Sequence, residues 1–143
     1  MKRVSICSIS EWLSADSTAT HLIMGSNCLN NLSELQLDRF ILLKELVIGD
    51  NSLNGLTELS LVGLNRLERV GIGSKSFKRV GASNALRVKD CSSLKRVAIG
   101  DNSFSSYGVI DVSSVPSLED LRVGANCFSA TSFELKSLSS MIP

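Results

Sequence analysis

The chain has 143 residues, 43% of them hydrophobic and 20% charged, and a net charge of +1. This composition is typical of one globular domain, and a charge so close to zero argues against a chain built as a whole to bind nucleic acid or an anionic membrane. No run of about 18 apolar residues is present, so we expect no membrane span. The opening MKRVSICSISEW lacks the apolar stretch of a secretory signal. We therefore expect a cytoplasmic protein, with a leader removed before Met1 as the alternative.

Residues 1–18 are predicted to form an N-terminal cap that contains one short helix. Ser8 and Glu11 have the S-x-x-E spacing of a capping box. The apolar residues next to them fall on one helical face, Ile9, Trp12 and Leu13. A helix with this face would cover the open end of the coil that follows it.

From residue 19 onward one phrase returns five times at intervals of 24, 24, 27 and 24 residues. Its copies are ATHLIMGSNCL, LKELVIGDNSL, LERVGIGSKSF, LKRVAIGDNSF and LEDLRVGANCF. A second apolar-x-apolar phrase keeps the same phase, at Leu35-x-Leu37, Leu59-x-Leu61, Leu86-x-Val88, Ile110-x-Val112 and Phe133-x-Leu135. Alternation of apolar and polar residues over such short runs predicts strands that bury every second side chain.

Two short strands in each repeat of about 24 residues predict a β-rich parallel solenoid, in which every coil packs on its neighbours. Residues 19–143 then form one domain of five repeats and a partial sixth. The glycines that follow the third apolar column would permit either positive φ or close approach between coils. The asparagine column, broken by Lys75, is expected to pair with backbone groups of adjacent coils.

The cysteines are interpreted as structural residues of the repeat. Cys28 and Cys127 share a column with three serines, Ser52, Ser76 and Ser103. These two cysteines lie four coils apart, which at about 4.8 Å per coil is too far for a disulfide. No pair of cysteines has metal-ligand spacing. We therefore expect four free thiols, which favours a reducing compartment.

The pattern L-x-x-L-x-[LI]-x-x-N-x-[LF] resembles the leucine-rich repeat over about residues 19–141. In the second copy the matching residues are Leu43, Leu46, Ile48, Asn51 and Leu53. An L-x-L phrase replaces the helix of the standard repeat, as in strand-rich variants similar to the protist and bacterial types. The resemblance implies a right-handed solenoid whose strand face binds partners, usually proteins.

The side chains between the inward columns are the predicted partner-binding residues. They form an apolar-to-small stripe bordered by mixed charge: His21, Ile23, Glu45, Val47, Arg69, Arg96, Asp120 and Arg122. Small residues, Gly71 and Ala98, complete the stripe. A merely solvated face is the alternative interpretation.

Basic residues are concentrated between positions 66 and 96. A patch for an acidic partner is predicted from six of them, Lys75, Lys78, Arg79, Arg87, Lys89 and Lys95. The three residues added in the 27-residue repeat predict a bulged loop at 78–84 that could carry specificity. A solvated charge cluster is the alternative interpretation, and weak binding of a polyanion is a further one. Tyr107 is the one nearby aromatic residue for base stacking, which argues against nucleic acid.

At the C-terminal end, Leu135, Leu138 and Met141 would lack a covering coil, which suggests an edge for self-association. We predict no cofactor, no metal site and no enzymatic activity, because no paired carboxylates, metal ligands or activated nucleophile emerge from the columns. The sequence therefore favours a module that binds a peptide or protein. A structural subunit that forms homo-oligomers through the C-terminal edge is the alternative.

Overall fold

A computed structural model describes residues 1–128. Its elements in chain order are β1 (Arg3–Ile6), α1 (Ile9–Leu13), β2 (His21–Met24), β3 (Glu45–Ile48), β4 (Glu58–Val62), β5 (Arg69–Ile72), β6 (Gly81–Lys89), β7 (Arg96–Ile99), β8 (Tyr107–Ser113) and β9 (Asp120–Val123). The predicted second-phrase strand at Phe133-x-Leu135 lies outside the described residues.

These elements form a strand-rich parallel β-solenoid of about four turns, which confirms the predicted parallel solenoid. Over the described residues, the first sheet has the order β1-β2-β3-β5-β7-β9 and the second sheet the order β4-β6-β8. Every strand pair is parallel. Inward side chains from both sheets belong to one hydrophobic core. Each coil is thus buried between its neighbours, as the repeat requires.

The repeat columns become registered rows across the first sheet. Leu46 is aligned with Val70 and Ile48 with Ile72, and all four side chains are buried. The residues between them, such as Val47, point to the other side because successive side chains alternate along a strand. The alternation in the sequence therefore predicted both the strands and their inward faces.

The glycine column serves close approach between coils rather than positive φ. A Cβ built on Gly49 would lie 2.6 Å from the carbonyl carbon of Gly25, a distance that no side chain tolerates. Positive φ occurs instead two residues later, at Asn51 (53°), where asparagine is favoured. Lys75 adopts the same conformation, with φ 61°.

The asparagine side chains pair with each other, which corrects the expected pairing with backbone groups. Asn51 Nδ2 donates to Asn27 Oδ1 at 2.7 Å, and Asn126 Nδ2 donates to Asn102 Oδ1 at 3.1 Å. The backbone groups of this column are satisfied separately, since Lys75 N donates to the carbonyl of Asp101 at 3.0 Å. Lys75 therefore interrupts the side-chain ladder without leaving its own N–H unpaired.

A second ladder runs through the serines that follow. Ser76 Oγ accepts a hydrogen bond from Ser52 N at 3.1 Å and donates one to the carbonyl of Gly49 at 2.9 Å. Ser103 repeats this arrangement one coil later, and all three serines of the column are 0% exposed. These hydroxyls satisfy backbone groups that would otherwise be buried unpaired, so the column is a hydrogen-bonded one rather than a set of interchangeable fillers.

Aromatic residues fill the next column in the later coils. Phe104 stacks on Phe77 with ring centroids 4.3 Å apart and on Phe128 at 5.3 Å. Tyr107 meets Phe104 edge-on at 5.0 Å, and its hydroxyl donates to the carbonyl of Leu56. Tyr107 is fully buried, so it is not accessible for base stacking.

The N-terminal segment differs from its prediction. Strand β1, which the sequence analysis did not predict, pairs with β2 so that Val4 faces Leu22 and Ile6 faces Met24. The helix and its capping box are confirmed, with Glu11 N donating to Ser8 Oγ and Glu11 Oε1 accepting from Ser8 N.

The prediction that the helix buries a single apolar face is wrong. Trp12 is buried, 5.5 Å from the ring of Phe40, and Arg39 Nη2 donates to its carbonyl at 2.8 Å. Ile9 and Leu13 are instead 42% and 71% exposed. A helix of five residues has room to bury only one large side chain against the coil.

Two other predicted elements change. Leu35 and Leu37 are buried but form no strand, so the second sheet begins one coil later than the repeat suggested. Of residues 78–84, the first three precede β6 and the last four lie in it, with a register shift between Gly81 and Ala85. The predicted bulged loop is therefore partly a bulged strand, in which the Asn84 side chain donates to the carbonyl of Arg79 at 2.9 Å.

Candidate partner-binding face

The outward residues of the first sheet form two registered rows, which together we call the strand face. One row contains Ser5, Ile23, Val47, Gly71, Ala98 and Arg122. The other contains Arg3, His21, Glu45, Arg69, Arg96 and Asp120. The structure therefore brings all eight predicted partner-binding residues onto one surface.

Strand β1 extends this surface by Arg3 and Ser5, which sequence reasoning missed. The signal was the short alternation Val4-x-Ile6, which lies 18 residues before its partner Leu22-x-Met24 instead of 24. The phrase after Ile6 also departs from the repeat, because CSIS stands where the other coils have glycine followed by a turn. Both departures concealed the strand.

In the row that contains Ile23 and Val47, side-chain size falls from these two residues toward the middle of the sheet. Ile23 and Val47 lie side by side and are partly buried, so they are less exposed than their outward position suggested. A Cβ on Gly71 would meet no atom within 4 Å, and Ala98 next to it is exposed. The surface is therefore shallowly depressed between Val47 and Arg122.

The charged row is partly neutralised within the sheet. Arg69 Nε lies 2.9 Å from Glu45 Oε2, and this hydrogen bond raises the pKa of the Arg69 guanidinium. Arg122 Nε lies 3.1 Å from Asp120 Oδ2. Among residues 1–128, Arg3 and Arg96 of this row have no ion-pair partner. Uncompensated positive charge therefore lies at the β1 end of the face and beside its small residues.

The predicted basic patch is not gathered on one surface. Arg87 and Lys89 lie in the second sheet, where Arg87 pairs with Glu58 at 2.8 Å and Lys89 with Asp111 at 3.6 Å. The other four positions are Lys75 in the asparagine turn, Lys78 and Arg79 before β6, and Lys95 immediately before β7. A cluster in the sequence is therefore distributed around the coil, because one repeat winds through the whole circumference.

The prediction of four free thiols is wrong. Cys7 and Cys28 form a disulfide with a Cα–Cα distance of 4.8 Å. The error follows from the missed strand, because β1 places Cys7 next to the first coil. Cys91 and Cys127 are free, and burial raises the pKa of both thiols, which disfavours their nucleophilic form.

The remaining polar groups give little support for chemistry. His21 Nδ1 is paired with Thr20 Oγ1 at 2.8 Å, and Cys28, the cysteine considered with it, has its sulfur in the disulfide. The described residues contain no group of three or more histidine, cysteine or acidic side chains that could hold a metal. In the same part of the chain, no helix is long and apolar enough to cross a membrane.

The predicted self-association edge, Leu135, Leu138 and Met141, lies outside the described residues. Comparison with protein-family models, with curated proteins and with solved structures found no match. Arguments about function therefore depend on the geometry of the strand face and on the pattern of the repeat.

Proposed function

We propose that this protein is a leucine-rich-repeat-type interaction module that binds an extended peptide or protein segment across its strand face. The residue pattern of the phrase LKELVIGDNSL supports the family assignment, as does the stacking of that phrase into parallel coils. Strands β4, β6 and β8 replace the helices of the standard repeat. The proposal is therefore of a strand-rich variant with no enzymatic role.

The observation that carries this proposal is the register of the strand face. Inward rows such as Leu46 and Val70 build the core, whereas the outward rows contribute nothing to it. Ile23 and Val47 nevertheless place two branched apolar side chains side by side on the outside. Solvated strand positions are usually polar, so this pair favours contact with a partner.

The size of the face favours a segment over a large globular surface. Six strands spaced about 4.8 Å apart span about 24 Å, and four residues along each strand span about 13 Å. The resulting flat area of about 300 Å² is well below the roughly 800 Å² that each partner buries in a standard interface. An extended segment of a few residues fits this area.

The charges of the face indicate which segment it accepts. An apolar side chain would pack on Ile23 and Val47, and the low surface at Gly71 and Ala98 would admit the backbone of the segment. An acidic group beyond that point would lie beside Arg96, which has no ion-pair partner among residues 1–128. The proposed ligand is therefore a segment with an apolar residue followed by an acidic one.

Matched valine substitutions on the two sheets test the proposal. The immobilised full chain is used to capture proteins, and quantitative mass spectrometry measures the amount of each. For at least one captured protein, we expect Val47→Glu to lower that amount tenfold or more. Val62→Glu, on the outer side of the second sheet where Val62 is 43% exposed, is the control and should retain it. The melting temperatures of both variants should be close to that of the native chain.

Arg96→Glu should weaken capture of the same protein, and added salt should weaken capture by the native chain. If no captured protein distinguishes Val47→Glu from Val62→Glu, the strand face is a solvated surface and the proposal is wrong.

A further inference from the structure

We propose that the Cys7–Cys28 disulfide is a thiol–disulfide exchange site, and that its reduction releases the N-terminal segment, residues 1–18, from the edge of β2. The site would react with a dithiol, either a small molecule or the paired cysteines of a protein. Three observations support it: the place of the disulfide in the serine ladder, the exposure of Cys7, and the one-sided pairing of β1 at the edge of the first sheet.

The disulfide occupies the position of a ladder hydrogen bond. Ser52 Oγ donates to the carbonyl of Gly25, the residue directly after the strand of the preceding coil. Ser76 and Ser103 do the same one and two coils later. For Cys28, the residue after the preceding strand is Cys7, because Ile6 is aligned with Met24. Among the described coils, a breakable covalent bond therefore replaces a buried hydrogen bond only at the first junction, where β1 meets the coil that begins with β2.

The two cysteines differ in exposure. Cys28 is 2% exposed, whereas Cys7 is exposed and lines two cavities. The larger cavity, of about 480 Å³, lies between Ser8–Ser10 and Asn27–Asn31, and the smaller, of about 210 Å³, lies beside Ile23 on the strand-face side. An incoming thiolate can therefore reach Cys7 without disturbing the core.

The exchange is balanced by the dithiol alone. A thiolate of the dithiol attacks Cys7 Sγ, the Cys7–Cys28 bond breaks, and Cys28 leaves as a thiolate that takes up a proton. The second thiol of the reagent then attacks its own sulfur in the mixed disulfide, and Cys7 leaves as a thiolate that is protonated in turn. Two protein thiols and one oxidised reagent result, and two electrons have passed to the protein.

Without the disulfide, the segment is held from one side only, because β1 is the edge strand of the first sheet and pairs with β2 alone. What remains is that pairing, the buried side chain of Ile6, and the packing of Trp12 on Phe40 beneath Arg39. The ion pair of Lys2 with Asp16 lies within the segment and does not attach it to the coil. The central coils, in contrast, are buried on both sides, so release is confined to the N-terminal end.

Hydrogen exchange of the full chain, with and without dithiothreitol, tests this inference. The disulfide closes a loop of sequence separation 21, so its loss should raise amide exchange in β1 and in the β2 amides that bond to it on the order of 100-fold. Exchange in β5 and β7 should change little. Cys7→Ser is the control, and it should exchange like the reduced native chain whether or not dithiothreitol is present.

Three results would overturn the inference. One is unchanged exchange of residues 1–24 on reduction, which would mean that the other contacts suffice. Another is an equal increase in β5 and β7, which would mean that the disulfide stabilises the whole solenoid. The third is a native chain, purified without reductant and then denatured, in which iodoacetamide alkylates both Cys7 and Cys28.

Discussion

The two cysteines at the ends of the serine column have the same place in the repeat and different chemistry. Cys127 Sγ lies 3.3 Å from the carbonyl of Gly100, the partner that a serine would have. Cys28 is bonded to Cys7 instead. The column fixes where the side-chain atom lies, and the residue that the preceding coil presents decides what that atom does. Substitutions in the central coils and at the first junction should therefore differ in their effects.

The largest expected effect is in the aromatic column of the central coils. Phe104→Ala removes a ring that stacks on both Phe77 and Phe128, and we expect a loss of about 3–5 kcal/mol in the free energy of unfolding. Leu29→Ala, in the same column at the first junction, should cost less, since Leu29 is 6% exposed. Urea denaturation measures both. Equal losses would show that the first junction is packed as tightly as the centre.

Ser76 provides a test of the buried ladder. Ser76→Ala leaves the Ser52 N–H and the Gly49 carbonyl without their partner, which should cost about 2–4 kcal/mol. Ser76→Cys should cost less, because Cys127 shows that a thiol can occupy this position. Urea denaturation of the two variants gives the order, and an alanine variant as stable as the cysteine variant would refute the role of the hydroxyl.

The repeat could be predicted from the sequence because its information is local. Inward residues such as Leu46 and Ile48 alternate with outward ones, and this alternation alone fixes the strands and the strand face. The disulfide could not be predicted in the same way, because it depends on β1. The alternation of that strand has only two apolar residues, Val4 and Ile6, which is too short a pattern to predict a strand. Without β1, Cys7 has no assigned place.

The positions of the basic residues were also hard to predict from the sequence. Arg87 and Lys95 are close in the sequence, but Arg87 lies in the second sheet and Lys95 lies immediately before β7 of the first. In a solenoid, residues one repeat apart are neighbours, whereas residues about ten apart lie on different sides of the coil. Charge should therefore be compared within columns, as it was for Arg69 and Arg96.

At the first junction, two substitutions can replace the disulfide with the serine-to-carbonyl hydrogen bond of the central coils. In the double variant Cys7→Gly and Cys28→Ser, the new hydroxyl should donate to the carbonyl of residue 7, as Ser52 does to Gly25. We expect a net loss of about 2 kcal/mol, since a disulfide contributes about 2–4 kcal/mol and the hydrogen bond recovers about 1. Thermal melting with and without reductant is the measurement. A melt that still responds to reductant would contradict the assignment.

A smaller and stabilising effect is expected at the gap in the asparagine column. Lys75→Asn introduces a residue that tolerates the φ of 61° and whose amide can pair with Asn51 or Asn102. The free energy of unfolding, measured by urea denaturation, should rise by about 0.5–1 kcal/mol. Lys75→Gln, which is longer and lacks this backbone preference, is the control. A gain no larger than that of glutamine would show that the ladder contributes nothing.

The smallest effect concerns pH and the N-terminal helix. Hydrogen bonds from the Cys7 N–H and from the hydroxyl and N–H of Ser8 lower the pKa of Glu11. A carboxyl whose pKa is lower in the folded state stabilises that state above its ordinary pKa of 4.5, and the stabilisation is lost as the pH falls through the lowered value. Between pH 6 and pH 3, the melting temperature of the native chain should fall more steeply than that of Glu11→Gln. Parallel curves would contradict this.

The most direct test of the account is to map the cysteines of the full chain after equilibration in a glutathione redox buffer on the oxidising side. Alkylation in denaturant, digestion and mass spectrometry should find one cross-linked peptide pair that contains Cys7 and Cys28, with Cys91 and Cys127 alkylated. A chain with all four cysteines alkylated, or with Cys28 joined to any residue other than Cys7, would contradict the claim that the preceding coil decides the chemistry of the column.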